Sequence, residues 1–125
     1  MLKQVIIAGF GGFIGTILRF LVSRSFQVHV SSLFPWGTFT VNIVGCLFIG
    51  IIGGIAERTE LLSYEWRIFL TVGICGGFTT FSSYSNEALM LLQNKELLRF
   101  SSYTVLSVVT GIASVVIGRN LIKAF

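Results

Sequence analysis

Gly76-Gly77-Phe78-Thr79-Thr80-Phe81-Ser82-Ser83-Tyr84-Ser85-Asn86-Glu87 places a run of glycines and hydroxyls about halfway along a stretch whose flanks are apolar enough to cross a lipid bilayer. Glycine and hydroxyl residues at this density predict a helix break inside the membrane. Lipid satisfies no freed N–H or C=O group, so irregular backbone at that depth survives only when it is buried in protein or lines a wet cavity. The break is therefore a candidate ion site.

The composition agrees with a membrane setting. The chain has 125 residues, 54% hydrophobic and 11% charged, and a mean hydropathy of +0.87, where a soluble domain carries roughly 25% charged residues. A span takes about 20 apolar residues, so the length accommodates four spans with short connections and no separate soluble domain. The expected class is an all-α integral membrane protein in a single domain, residues 1–125, with spans at about 5–26, 36–56, 66–92 and 100–122. Lys3 is the only charge before the first apolar stretch, and no A-x-A cleavage pattern follows it, so this stretch is expected to be a retained span and not a signal peptide.

The third segment is long for one span and carries Gly73, Gly76, Gly77, Thr79 and Thr80 near its middle, which fits two half-helices better than one rod. Four spans place both termini on one side, with Lys3, Arg58, Arg67, Arg119 and Lys123. The other side carries Arg24, Lys95, Arg99 and, depending on its depth, Arg19. So small a difference barely specifies orientation, which is compatible with insertion both ways and an antiparallel dimer. The net charge of +4 is scattered, with no basic stripe, so nucleic acid is not implied.

Gly11 and Gly15, Gly50 and Gly54, and Gly73 and Gly77 are each four residues apart, the spacing that lets helix backbones approach closely in lipid. Residues 5–15 superficially mimic a dinucleotide-binding turn. The third glycine position holds Ile14, however, and no acidic residue follows at the distance needed to hold a ribose. Cys46 and Cys75 match no metal or redox spacing, and His29 stands alone in a predicted loop. No nucleophile has a base nearby, which argues against an enzyme.

The polar residues inside the spans carry the chemistry. Arg19 shares a helix face with Gly11 and Gly15, and either snorkels to the interface or remains inward as a permanently charged donor. Asn42 is either an interhelical hydrogen-bonding group or a donor facing a pore. Tyr103, Ser107, Thr110 and Ser114 form one stripe at helical spacing, and this predicts a shared polar path. Glu87 is the one carboxylate near a span interior: an intramembrane acid, or a group in water at the helix end. An inventory rich in donors and poor in acids points to an anion.

Three stretches together resemble the fluoride channel family known as Fluc or CrcB: Gly11-x3-Gly15-x3-Arg19, Gly37-Thr38-x3-Asn42-x2-Gly45, and Gly76-Gly77-Phe78-Thr79-Thr80-Phe81-Ser82. The resemblance implies four-span subunits in a dual-topology dimer, made with an identical or a paralogous chain, with two fluoride pathways and a central sodium ion. It assigns the backbone carbonyls of Gly76 and Thr79 to sodium, Asn42 to the pore amide, Phe81 to the first of two pore phenylalanines, Tyr103 and Ser107 to a hydroxyl track, and Arg19 to the arginine of the first span. The hydroxyls of Ser82 and Ser83 follow Phe81 toward the fluoride path, and Thr110 stands beside Gly111 where a further hydroxyl is expected. Arg19 and Glu87 would serve a vestibule or anchor the assembly. One departure is visible: Tyr84 occupies the second phenylalanine position and sets a hydroxyl where a para C–H would point.

The function expected from this resemblance is passive fluoride export across a prokaryotic cytoplasmic membrane. Two other classes stand beside it. A small dual-topology drug exporter needs a membrane carboxylate for proton exchange, and only Glu87 is available. A non-transporting scaffold would use the glycine faces but leave the break and the hydroxyl stripe unexplained.

Overall fold

The structure, a computed structural model that describes residues 1–124, is helical throughout, with no strand among the described residues. Helices α1 (Leu2–His29), α2 (Trp36–Arg58) and α6 (Leu97–Lys123) are each long and apolar enough to cross a membrane. The shortest, α2, has 23 residues, roughly 35 Å at 1.5 Å per residue, against a hydrocarbon core of about 30 Å. All three run past the expected spans at one or both ends. His29, expected in a loop, is the last residue of α1, and its Nδ1–H donates to the Ser25 carbonyl at 2.9 Å. Glu57 and Arg58, expected in a connection, complete α2, where Glu57 pairs with Arg119 of α6. Pro35 stands at the N-cap of α2, just before the helix, where its missing N–H costs nothing.

The third apolar segment is composite. Helix α3 (Tyr64–Arg67) runs into a π-helical stretch, Ile68–Cys75, and then into the short α4 (Gly76–Phe78). Thr79 and Thr80 are extended, at φ −89°, ψ 159° and φ −153°, ψ 118°, and helix α5 (Phe81–Gln93) follows. The interruption is thus narrower than the whole glycine and hydroxyl run. Gly76 and Gly77 remain helical, and the serines belong to α5. Thr80 is the reason α5 can start where it does, since its Oγ1 accepts the Ser83 N–H at 3.1 Å, satisfying an orphan donor of the first turn.

Two close helix pairs organise the bundle. Helix α1 packs on the π-helical stretch and α4 through glycine against glycine. A Cβ on Gly11 would stand 2.6 Å from the Phe69 carbonyl oxygen, and one on Gly73 would stand 2.8 Å from the Gly11 Cα. Helix α2 packs on α6 in the same way, with Gly50 against the Val115 backbone and Gly118 against the Leu47 carbonyl. Small residues at such crossings give the van der Waals packing that replaces the hydrophobic drive within lipid. The outer faces carry exposed Phe10, Phe13, Phe20, Val105 and Ile112. Apolar helices with apolar exteriors identify a multi-pass membrane protein.

Candidate functional site

The interruption at Thr79–Thr80 is held by α2. The Thr80 N–H donates to Asn42 Oδ1 at 2.7 Å, and Asn42 Nδ2 returns a hydrogen bond to the Thr80 carbonyl at 3.1 Å. Asn42 thereby serves as an interhelical hydrogen-bonding group. It also lines an open cleft of about 310 Å³ between α2, the interruption and α6, together with Thr79, Phe81, Tyr84 and Ser107. The two readings of Asn42 are compatible: its oxygen and one N–H secure the break, and an amide carries a second N–H.

An ordinary helix would close the Gly76 carbonyl with the N–H four residues on, that of Thr80, and the Thr79 carbonyl with that of Ser83. Here Thr80 N–H goes to Asn42 and Ser83 N–H to Thr80 Oγ1. Gly76 and Thr79 therefore both lose the donor that would complete the turn. Their neighbours fare differently. The Cys75 carbonyl accepts from the Thr79 N–H and hydroxyl at 3.0 and 2.9 Å, and the Gly77 carbonyl accepts from Arg19 Nε at 2.9 Å. Arg19, half-buried, is turned inward to α4. Gly45 makes room for this arrangement, because a Cβ there would collide with the Thr79 methyl. Freed carbonyls are hard oxygen ligands suited to a small cation.

Residues 6–119 match the family model described as CrcB-like protein, Camphor Resistance (CrcB). Among similar curated proteins, the "Fluoride-specific ion channel FluC" of Phocaeicola vulgatus is 42% identical over 117 residues, covering 94% of this chain and 96% of its own. The protein of the same name from Azobacteroides pseudotrichonymphae is 40% identical over 125 residues, the full length of both. That of Chlorobium luteolum is 45% identical over 115 residues, covering 92% of this chain and 88% of its own.

The chain belongs to the CrcB-like family.

The remaining polar residues of this CrcB-like chain divide into two groups. Phe81, largely exposed, lies 5.6 Å from Tyr84 between ring centroids, and Tyr84 lies 5.0 Å from Tyr103. Ser107 Oγ is buried without a hydrogen-bond partner among the described residues, which is unusual for a buried hydroxyl. Ser82 and Ser83 do not line the cleft: Ser82 Oγ is 3.2 Å from Thr80 Oγ1 on the exposed face, and Ser83 contributes its backbone N–H. In α6, the Thr110 hydroxyl donates to its own helix at Leu106, and that of Ser114 donates to the Thr110 carbonyl at 2.6 Å. Of the four hydroxyls of the expected stripe only that of Ser107 belongs to a residue lining this cleft, and Thr110 and Ser114 bond within α6, since in lipid a threonine or serine without a cross-helix partner turns back on the preceding turn.

Glu87 is not at a helix end in water. It lies midway along α5, where Thr38 Oγ1 donates to Oε1 at 2.6 Å and Tyr103 OH donates to Oε2 at 3.1 Å. Thr38 is buried and Tyr103 wholly so. With Ser23, Gln27 and Asn86, Glu87 and Thr38 line a second cleft of about 370 Å³ beside the α1–α2 connection. Tyr103 joins the two clefts, its hydroxyl reaching Glu87 and its ring resting on Tyr84. Sequence reasoning missed two partners here, Thr38 and Thr104. Thr38 lay within a stretch already singled out, and Thr104 follows Tyr103 directly; neither has a sequence signal of its own for its partner. The Thr104 hydroxyl accepts the Tyr84 hydroxyl at 3.0 Å.

Proposed function

We propose that this chain forms a fluoride-selective channel, which lets fluoride leave the cell passively and lowers its cytoplasmic level. The observation that carries the proposal is the convergence of Asn42, Phe81, Tyr84 and Ser107 on one cleft beside the helix interruption. Fluoride is small and strongly hydrated, so a path for it has to replace water with several donors while binding weakly enough to release it. The second amide N–H of Asn42 and the unpartnered Ser107 hydroxyl are such donors, and aromatic edges, the positive part of the ring quadrupole, contact an anion without trapping it. Relatives named as fluoride-specific channels support this choice of ion.

The channel would consist of four spans per subunit, the third broken at Thr79–Thr80 within the membrane, paired antiparallel with a second subunit in the cytoplasmic membrane of a prokaryote. The exposed Phe81 and the open side of the cleft fit such pairing. The carbonyls of Gly76 and Thr79 fit a sodium ion at the centre of the pair, two from each subunit, because both lack their turn-closing donor. That ion would supply structural charge, while Arg19 anchors the adjacent carbonyl. A proton-coupled exporter is less well supported, because the Glu87 carboxylate is engaged by two hydroxyls. Efflux from proteoliposomes followed with fluoride and chloride electrodes tests the proposal. Fast fluoride release with retained chloride is expected, and equal release of both would reject it.

A further inference from the structure

Tyr84 contributes a phenol to a path that works through ring edges, and a free phenol would be a strong donor to a small anion. Two features of the structure bear on where that proton goes. Tyr84 OH donates to Thr104 Oγ1 at 3.0 Å, and the ring is braced between Phe81 at 5.6 Å and Tyr103 at 5.0 Å. Thr104, half-buried on α6, does not line the cleft that Tyr84 lines. The hydroxyl proton is thus directed out of the cleft and into the helix interface, and a phenol has only one proton to give.

We propose that Thr104 is a positioning residue that sequesters the Tyr84 hydroxyl, so that Tyr84 presents to fluoride only its ring edge. The inference rests on the proposed passage of fluoride along this cleft. With the acceptor removed, the phenol turns its proton toward the anion. A hydrogen bond to a charged group is strong, and a path that binds too well conducts poorly. Deleting the threonine hydroxyl therefore slows flux although Thr104 does not line the cleft. Deleting the phenol hydroxyl as well restores it, because no proton is then left to trap the ion.

The experiment measures initial fluoride efflux from proteoliposomes reconstituted with the full chain and its variants at equal protein content. Thr104→Val is expected to slow efflux by about tenfold, the order of one charge-assisted hydrogen bond. Thr104→Ser, which keeps the acceptor, is expected within about twofold of the unmodified chain, a margin well below the effect of one such bond, and adding Tyr84→Phe to Thr104→Val is expected to raise efflux well above that of Thr104→Val alone. Thr104→Ala makes the same deletion with a different volume, which guards against failure of the valine variant to fold. The proposal is overturned if Thr104→Val and Thr104→Ala conduct normally, or if the double variant stays as slow as the single one. Asn42→Asp in the same series separates two kinds of failure. If it blocks flux while Thr104→Val does not, only the tether is wrong. If neither has an effect, fluoride does not use the cleft.

Discussion

Asn42 and Thr80 exchange two hydrogen bonds, amide to carbonyl at 3.1 Å and backbone N–H to amide oxygen at 2.7 Å. One side chain on an unbroken helix thus satisfies both backbone groups of a residue where another helix is interrupted. The same contact fixes the break against the cleft.

Asn42→Ala is expected to destabilise the protein by about 1–3 kcal/mol, the cost of leaving part-buried polar groups without partners. Thermal unfolding in detergent checks this. Asn42→Gln, which has the same amide on a longer stem, should recover part of the loss. An alanine variant as stable as the parent would show that water already serves Thr80.

The glycine contacts make sharply different predictions at neighbouring positions. Gly11→Ala and Gly118→Ala put a methyl against backbone, and backbone cannot move aside as a flexible side chain can, so each should cost about 1–3 kcal/mol or more. Gly9→Ala meets nothing within 4 Å and should be neutral or slightly stabilising, given alanine's higher helix propensity. Monodisperse yield and unfolding temperature read both outcomes.

Thr38 and Glu87 form a pair that a double-mutant cycle can isolate. Thr38→Val removes one of two hydroxyl donors from a carboxylate and should cost about 1.5–3 kcal/mol, as for hydrogen bonds to charged groups. In a Glu87→Gln background the same change should cost less, since a neutral amide loses less when a donor is withdrawn. Equal losses in both backgrounds would mean that the negative charge of Glu87 adds little to this hydrogen bond.

If sodium is held by the Gly76 and Thr79 carbonyls, replacing it with a large organic cation should lower the unfolding temperature, because a ligand that binds only the folded state stabilises it by mass action. Titration back with sodium should restore the temperature. An unfolding temperature indifferent to the cation would remove the site.

Much of this architecture was legible in the sequence because lipid imposes it. Apolar runs gave the long helices, and glycine spacing gave the crossings that Gly11, Gly73 and Gly50 make, whereas Gly118 stands outside any of those spacings. The limits of the break were less legible. Glycine propensity alone extended it over Gly76 and Gly77, whereas both are helical, Gly77 packed closely on Gly12 and Thr16 of α1. The hydroxyl stripe of α6 shows the same limit, since periodicity places Thr110 and Ser114 on a face but does not say that their protons turn back to their own helix. Partnerships across helices, such as Tyr84 with Thr104 and Thr38 with Glu87, depend on how α5 is rotated beyond Thr80, and no local pattern records that rotation.

The central claim, that fluoride passes beside Asn42, is tested most directly by fluoride efflux from proteoliposomes containing Asn42→Asp, measured alongside the unmodified chain. The substitution keeps an oxygen for the Thr80 N–H but places a negative charge in the anion path. The account predicts rapid efflux from the unmodified chain and none above background from a folded Asn42→Asp protein. Equal efflux from the two would contradict it.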